Sequence, residues 1–209
     1  MELLKDKSEV AYFMRRLYQM GLTTTSGGNI STKTPDNKVL ITPSKLDKAR
    51  LQHNQIAVMD MDGQNYTPQL TPSIETNLHL FIYKAIPEIQ AIIHAHPVMA
   101  TTFTAMNKNI NTSLIAEARA IVGNPITATY AVMGSDNLAK LVSNAAMKSP
   151  TVLMENHGVL TTGQNLLEAF DRIEVLECAA KMTYYTELMY DKKELSPDAI
   201  RELDQLFPK

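Results

Sequence analysis

Two histidines separated by one residue, His94-Ala95-His96, lie in an apolar run, Ala91 to His96, that reads as a buried strand. Side chains two apart on a strand point to the same face, so the two imidazoles sit roughly 6 to 7 Å apart at the backbone. Neutral imidazoles in that arrangement can chelate one metal ion, and zinc suits nitrogen donors of this kind. A pair of structural histidines would look the same. A third ligand is needed, and His157 is the natural candidate: it stands in Asn156-His157-Gly158, a tight turn after a strand, where the glycine permits close backbone approach. The plainer account is a turn histidine packed on the sheet. Of the other histidines, His53 lies in a polar stretch that reads as surface. His79 is the rival ligand, although its plainer role is a structural hydrogen bond.

Glu75 precedes His79 by four residues and shares a helix face with it. A carboxylate in the first turn of a helix compensates the dipole by some tenths of a kcal/mol. Beside a metal it could also occupy the open coordination position, then swing away and act as a general base. The loop Thr25-Ser26-Gly27-Gly28-Asn29 offers unobstructed backbone N–H groups, a hydroxyl and an amide, which is what a phosphate-binding nest requires. Thr42-Pro43-Ser44 and Thr71-Pro72-Ser73 can add hydroxyls, the latter at a helix N-terminus. Each loop taken singly is also ordinary turn chemistry. The Gly-x-x-x-x-Gly-Lys-[Ser/Thr] pattern of a nucleotide-binding loop is absent.

These residues need a scaffold, and the periodicity supplies one. Val10, Phe13, Met14 and Leu17 mark a helix over 7–20 that Gly21 can end. Short strands are expected at 30–33, 38–42 and 55–59. A helix should then open at Thr71-Pro72, with Thr71 as N-cap and Pro72 in the first position. After the strand carrying the histidine pair, Pro97 starts another helix, and residues 113–130 read as two more short strands. A helix over 135–148, strands at 151–155 and 159–162, a long helix over 165–188 and a short one over 197–206 complete the chain. Helices alternating with strand pairs, with no linker between them, predict one domain over 1–209 with a sheet between helices and a tail from about residue 190. Hairpin-like turns make much of that sheet antiparallel.

The bulk properties exclude several classes. With 209 residues, 44% of them hydrophobic, the chain can bury a real core, and a net charge of -2 advertises no basic surface to nucleic acid or anionic lipid. The single cysteine, Cys178, allows no intrachain disulfide and fits a reducing cytoplasm. No apolar run approaches the roughly 18 residues of a membrane helix, and the first residues show no signal-peptide core.

Seven segments together resemble the class II aldolase/adducin family, in order and spacing, over about residues 8 to 190. They are Gly21-Leu22, Ser26-Gly27-Gly28-Asn29-Ile30-Ser31, Ile41-Thr42-Pro43-Ser44, Pro72-Ser73-Ile74-Glu75, His94-Ala95-His96-Pro97, Glu155-Asn156-His157-Gly158-Val159-Leu160 and Glu168-Ala169-Phe170. The resemblance implies an α/β fold: a three-layer α/β/α arrangement around a central, mainly antiparallel sheet. It implies zinc (Zn2+) held by His94, His96 and His157, with Glu75 as the catalytic acid/base. It also implies a substrate phosphate held by Ser26, Gly27, Asn29, Ser44 and Ser73. Where such aldolases often carry a second serine in the Ser-x-Glu element, this chain has Ile74.

The implied activity is carbon–carbon bond cleavage or formation in a ketose 1-phosphate. L-fuculose 1-phosphate is the first substrate to consider, giving dihydroxyacetone phosphate and lactaldehyde through a zinc-stabilised enediolate. The implied assembly is a homotetramer with sites between neighbouring subunits. A mid-chain tyrosine that protonates the aldehyde oxygen in many members is missing. The region reads Ile115-Ala116-Glu117-Ala118-Arg119, which leaves Glu117 as the polar candidate and Arg119 as a weaker one, while Tyr184, Tyr185 and Tyr190 lie near the C-terminus. The departure keeps open the branches acting on deoxypentulose phosphates, keto-acid phosphates (decarboxylases) and methylthioribulose phosphate (dehydratases). Pentulose-phosphate 4-epimerases usually carry aspartate at the Glu75 position. Adducin-like interaction modules lose the metal histidines, which this chain retains.

Overall fold

Helix α1 (Glu2–Gln19) opens the chain, and Val10, Met14 and Leu17 return to one fully buried face. The computed structural model describes residues 2–208. β1 (Asn29–Lys33) and β2 (Val39–Ile41) form a hairpin turned through Asn37, and β3 (Ala57–Met59) pairs with β2. There follow α2 (Thr76–Ala85), β4 (Ala91–Ala95), α3 (Val98–Thr104), α4 (Ala116–Val122), β5 (Ile126–Ala128) and α5 (Asp136–Ala146). A hairpin of β6 (Thr151–Met154) and β7 (Gly158–Gly163) leads into α6 (Leu166–Met189), and α7 (Pro197–Leu206) ends the ordered elements. The strands form one seven-stranded sheet in the order β3-β2-β1-β4-β7-β6-β5. Every neighbouring pair is antiparallel except β5 with β6.

Strand alternation divides the core in two. Ala91, Ile93 and Ala95 of β4 pack with α1, α3, α4 and α6, whereas Ile92 packs on the other side with α2 and α5. Ile30 of β1 and Val159 of β7 follow the first set, and Leu160 of β7 the second. Both faces are buried, so β2, β3, β4 and β6 read as nearly continuous apolar runs, and each fully buried aliphatic side chain stabilises by about 1.5–3 kcal/mol. The result is the expected three-layer α/β/α fold with a mainly antiparallel sheet. Side-chain caps fix the helix starts: Ser135 accepts from Leu138 N, Asn165 from Glu168 N and Ser196 from Ala199 N, the last followed by Pro197. No helix among the described residues is long and apolar enough to cross a membrane.

Two expectations are corrected. Residues 113–130 hold helix α4 and a single strand, β5, rather than two strands. Ala116, Ala118 and Ala120 are strong helix formers; Ala118 and Val122 bury one face, and Gly123 at φ 69° ends the helix. The helix expected from Thr71-Pro72 begins only at Thr76. Residues 71–75 instead lie along the Pro43 segment: Pro43 and Pro72 form an isolated antiparallel bridge, and Ser44 N donates to Thr71 O at 2.9 Å. Tertiary pairing outweighs the local cap signal, and Glu75 stands just outside the helix, at the N-cap.

Candidate metal centre and substrate cleft

β1 and β4 lie side by side with Asn29 opposite His94. In an antiparallel pair such partners share a face, and here it is the face covered by α2. His94 Nδ1 lies 2.9 Å from the carbonyl oxygen of Val159 on β7. A carbonyl only accepts, so Nδ1 carries a hydrogen and Nε2 is the nitrogen turned toward the cluster. His96 follows one residue past the end of β4. Its ring centroid is 4.6 Å from that of His94, and the His157 ring is 4.8 Å from His94 and 5.7 Å from His96. One ring nitrogen from each of the three histidines lies within 4.8 Å of the others.

Backbone demands explain the local sequence. Asn156 takes a left-handed φ of 52°, and His157 N donates to Met154 O at 3.0 Å, which closes the turn between β6 and β7. A Cβ on Gly158 would stand 2.6 Å from His96 Cδ2 and 2.8 Å from Ala95 O, so only glycine lets β7 start against the histidine strand. Gly28, at φ 66°, plays the same part on the other side, where a Cβ would meet His94 O at 2.8 Å. After Pro97, the first N–H groups of α3 are held by Glu177 of α6, whose carboxylate accepts from Met99 N at 3.3 Å and Ala100 N at 2.9 Å. That buried anion at a helix N-terminus fixes the path of the chain just beyond His96.

Glu75 closes the cluster. Its Oε2 is 3.3 Å from His94 Nε2 and its Oε1 3.2 Å from His157 Nε2, with the residue only 5% exposed. Among the described residues, His94 Nε2 and Glu75 Oε1 are buried without a hydrogen-bond partner. Burial, reinforced by His94 and His157 and opposed by Glu75, pushes His96 down to about 3, and burial also lowers His157. Both rings are therefore neutral near pH 7 and offer lone pairs. Burial alone would raise the Glu75 carboxyl, but His94, the Asn29 amide, His157 and His79 outweigh it and hold the group below the usual carboxylate range. Imidazole nitrogens and a carboxylate oxygen converging on one point, two of them unpartnered, fit a zinc-type cation.

A cleft of about 490 Å³ opens beside this cluster. Ser26, Gly27, Asn29, Ser44 and Ser73 line it together with Glu75, His96 and His157, so all the expected phosphate residues meet at the expected centre. Their polar groups are partly engaged already: Ser44 Oγ donates to Pro72 O at 3.0 Å, and Ser73 Oγ accepts from Glu75 N at 3.3 Å. Asn29 gives one amide N–H to Glu75 Oε2 at 2.7 Å, and its carbonyl oxygen faces His79 Nε2 at 2.6 Å. His79 therefore belongs to a hydrogen-bond chain and not to the ligand cluster.

Lys48 also lines the cleft, and the sequence reading overlooked it. It sits among Lys45, Asp47 and Arg50, a stretch that looks like surface, yet its side chain is 1% exposed and its Nζ donates to Pro43 O at 2.7 Å. Among the described residues no carboxylate pairs with it at ion-pair distance. Burial pushes its ammonium down to about 8. The spacing of Leu46 and Leu51 around it was the available signal, since both pack inward and draw the lysine between them.

Glu117 lies elsewhere, on the exposed side of α4 and outside this cleft. Arg119 turns inward and bonds Asp204 of α7 through Nε at 2.7 Å and Nη2 at 2.5 Å, and Asn124 through Nη1. Tyr184, Tyr185 and Tyr190 are exposed at the end of α6.

The chain is similar to known proteins over most of its length. The chain is 34% identical over 185 residues to the 3-oxo-tetronate 4-phosphate decarboxylase of Haemophilus influenzae, covering 87% of this chain and 88% of the relative. It is 35% identical over 178 residues to the L-fuculose phosphate aldolase of Methanocaldococcus jannaschii, covering 85% and 95%. The solved structure of an L-fuculose 1-phosphate aldolase superimposes with a TM-score of 0.89 at 29% identity, covering 98% of this chain and 97% of that one. Residues 8–184 match the Class II Aldolase and Adducin N-terminal domain family. With three histidines and a carboxylate converging where the motifs place them, and with those matches over most of its length, the chain belongs to the class II aldolase and adducin family.

Proposed function

We propose that this protein is a zinc-dependent aldolase that cleaves or forms the carbon–carbon bond of a ketose 1-phosphate, with L-fuculose 1-phosphate as the leading substrate. The observation that carries the reading is the convergence of the His94, His96 and His157 nitrogens with the buried Glu75 carboxylate at a cleft lined by hydroxyls and glycines. Zinc, when bound by the three histidines, supplies Lewis-acid polarisation of the substrate carbonyl.

The rest falls to the chain's own groups. Ser26, Gly27, Ser44 and Ser73, with the remaining Asn29 N–H, seat the phosphate and so fix the distance from it to the reacting carbons. Glu75 moves the proton. In synthesis it takes a hydrogen from the carbon beside the carbonyl, and in cleavage it returns one to that carbon after the aldehyde departs. Glu117, exposed on α4, is assigned to a neighbouring subunit's site in a homotetramer, where it protonates the aldehyde oxygen. The setting is cytoplasmic. An interaction module without catalysis would have no use for neutral imidazoles and an ionised carboxylate facing one another in the interior.

A second reading is decarboxylation of a keto-acid phosphate, favoured by the similarity to the Haemophilus protein. Loss of carbon dioxide also leaves a carbanion beside a carbonyl, which Glu75 would protonate. The test is turnover of zinc-loaded protein with L-fuculose 1-phosphate, 5-deoxyribulose 1-phosphate, methylthioribulose 1-phosphate and a 3-oxo-tetronate 4-phosphate. Coupled detection of dihydroxyacetone phosphate and of carbon dioxide separates the readings. Dihydroxyacetone phosphate from L-fuculose 1-phosphate supports the first, carbon dioxide alone supports the second, and no turnover of any of the four counts against both.

A further inference from the structure

Behind Glu75 lies a chain of buried hydrogen bonds that ends at Tyr83, whose hydroxyl also lies 3.5 Å from Gln90 O. Asn29 Nδ2 donates to Glu75 Oε2 at 2.7 Å, Asn29 Oδ1 lies 2.6 Å from His79 Nε2, His79 Nδ1 lies 2.6 Å from Ser31 Oγ, and Ser31 Oγ lies 2.8 Å from the Tyr83 hydroxyl. Asn29, Ser31, His79 and Tyr83 are each at most 3% exposed. The two elements generate this order by their periods. Asn29 and Ser31 are two apart on β1 and share the face under α2, while His79 and Tyr83 are four apart on α2 and share the face over β1.

The direction of the bonds from Ser31 to Glu75 follows from which atoms can only accept. An ionised carboxylate only accepts, so the amide nitrogen of Asn29 faces Glu75 and the amide oxygen faces His79. That oxygen only accepts, so His79 carries its hydrogen on Nε2 and presents a lone pair at Nδ1. Ser31 donates to that lone pair, which leaves the single Tyr83 hydrogen to the Ser31 oxygen at 2.8 Å in preference to Gln90 O at 3.5 Å. All the hydrogens then point toward Glu75. His79 is also held neutral: burial pushes it down to about 3, against the pull of Glu75 and with the help of His94. A set of buried polar groups that merely satisfy one another needs no common direction. This one is polarised from Tyr83 to the carboxylate that meets the metal centre.

We propose that His79, Ser31 and Tyr83 are positioning residues for Glu75, acting through Asn29 to hold the carboxylate in one orientation beside the three histidines. The proposal rests on the proton-carrying role given to Glu75 above. Without the His79 N–H, the Asn29 amide is free to turn its oxygen toward the carboxylate, and Glu75 loses both its donor and its fixed direction. The expected signature is a loss in the chemical step with substrate binding retained.

The test has two arms. In the first, zinc-loaded protein is given dihydroxyacetone phosphate in heavy water, and deuterium entry at the carbon beside the carbonyl is followed by NMR. Replacing His79→Leu should lower kcat for exchange about 10- to 100-fold, part of the roughly 100- to 10,000-fold that a positioned base supplies, with KM changed less than about threefold. His79→Gln, which keeps an N–H for Asn29, should recover most of the rate. Ser31→Ala, which removes one hydroxyl, should move kcat the same way by a smaller factor and serves if the leucine variant does not fold. Unchanged kcat in these variants, or glutamine no better than leucine, overturns the proposal.

The second arm is independent of turnover: nitrogen-15 NMR of histidine-labelled protein. His79 should show a protonated Nε2, a bare Nδ1 and no titration from pH 5.5 to 9. A hydrogen on Nδ1, or titration in that range, overturns the proposal even in a protein that exchanges nothing. Absence of exchange in the unaltered protein with the expected His79 signals would instead count against the role given to Glu75, while the directed chain stands.

Discussion

Lys48→Met separates a buried cation kept for an anionic ligand from one kept for the fold. Lys48 is 1% exposed, and burial lowers it from 10.5 to about 8. At 1.36 kcal/mol per unit, holding the charged side chain inside costs about 3 kcal/mol at pH 7, as an order of magnitude. Methionine has nearly the same length and no charge, but it leaves Pro43 O without its 2.7 Å donor, a loss of about 1–2 kcal/mol. Without phosphate, the variant should therefore be about 1–2 kcal/mol more stable than the parent at pH 7.

The sign of the pH dependence follows from the lowered folded-state value. Between about pH 8 and 10.5 the unfolded lysine binds a proton that the folded one has released, so the parent gains stability as pH rises through that window and loses it as pH falls toward 8. The advantage of the methionine variant should accordingly shrink by about 2–3 kcal/mol between pH 7 and pH 10. Urea midpoints at the two pH values measure this, and KM for the phosphorylated substrate measures the other side, where removing a cation beside the phosphate loops should raise KM at least tenfold, about 1.4 kcal/mol. A variant less stable than the parent by more than about 2 kcal/mol at pH 7, with no convergence at pH 10 and an unchanged KM, would refute the reasoning and make Lys48 a strut for the Pro43 turn.

The same geometry makes further predictions. Glu75→Gln should retain zinc, because the three histidines remain, yet lose at least about 100-fold in kcat; metal analysis beside turnover checks both halves, and full activity would remove Glu75 from the mechanism. Gly158→Ala places a methyl group 2.6 Å from His96 Cδ2 and 2.8 Å from Ala95 O, so zinc affinity should fall sharply while far-ultraviolet circular dichroism stays close to that of the parent; zinc titration reads it, and unaltered affinity would show that the turn can shift without cost. Asn29→Leu should lower kcat as well as raise KM, because the amide serves Glu75 and lines the phosphate cleft; a change in KM alone would confine Asn29 to the substrate.

Much of the centre was legible because it depends on local periods. The His94-Ala95-His96 spacing brings both rings together at the end of β4, 4.6 Å apart, and Asn156-His157-Gly158 declares a tight turn by composition alone. The layers were legible for the same reason, since Ile92 and Ile93 announce two buried faces. Features set by register were hidden. That Asn29 stands opposite His94, and that His79 and Tyr83 descend onto Asn29 and Ser31, follows from how α2 lies across β1, which no single segment encodes. The Thr71-Pro72 cap signal misled because pairing of Pro72 with Pro43 takes those residues out of the helix. Residues 113–130 misled because alanines spaced by charged residues mimic strand alternation as easily as a short helix. Lys48 escaped notice because a lysine among charged neighbours gives no sign of burial, which comes from the turn that Thr25 O holds through Lys48 N at 3.0 Å.

The central claim is a metal centre built by three histidines, and its most direct test is zinc content by mass spectrometry of the purified protein beside His96→Ala. Near one zinc per chain in the parent, and little in a folded variant left with only two of the imidazoles, is the predicted result. A parent that neither carries zinc nor takes it up when supplied, or a variant that keeps a full complement, would contradict the account.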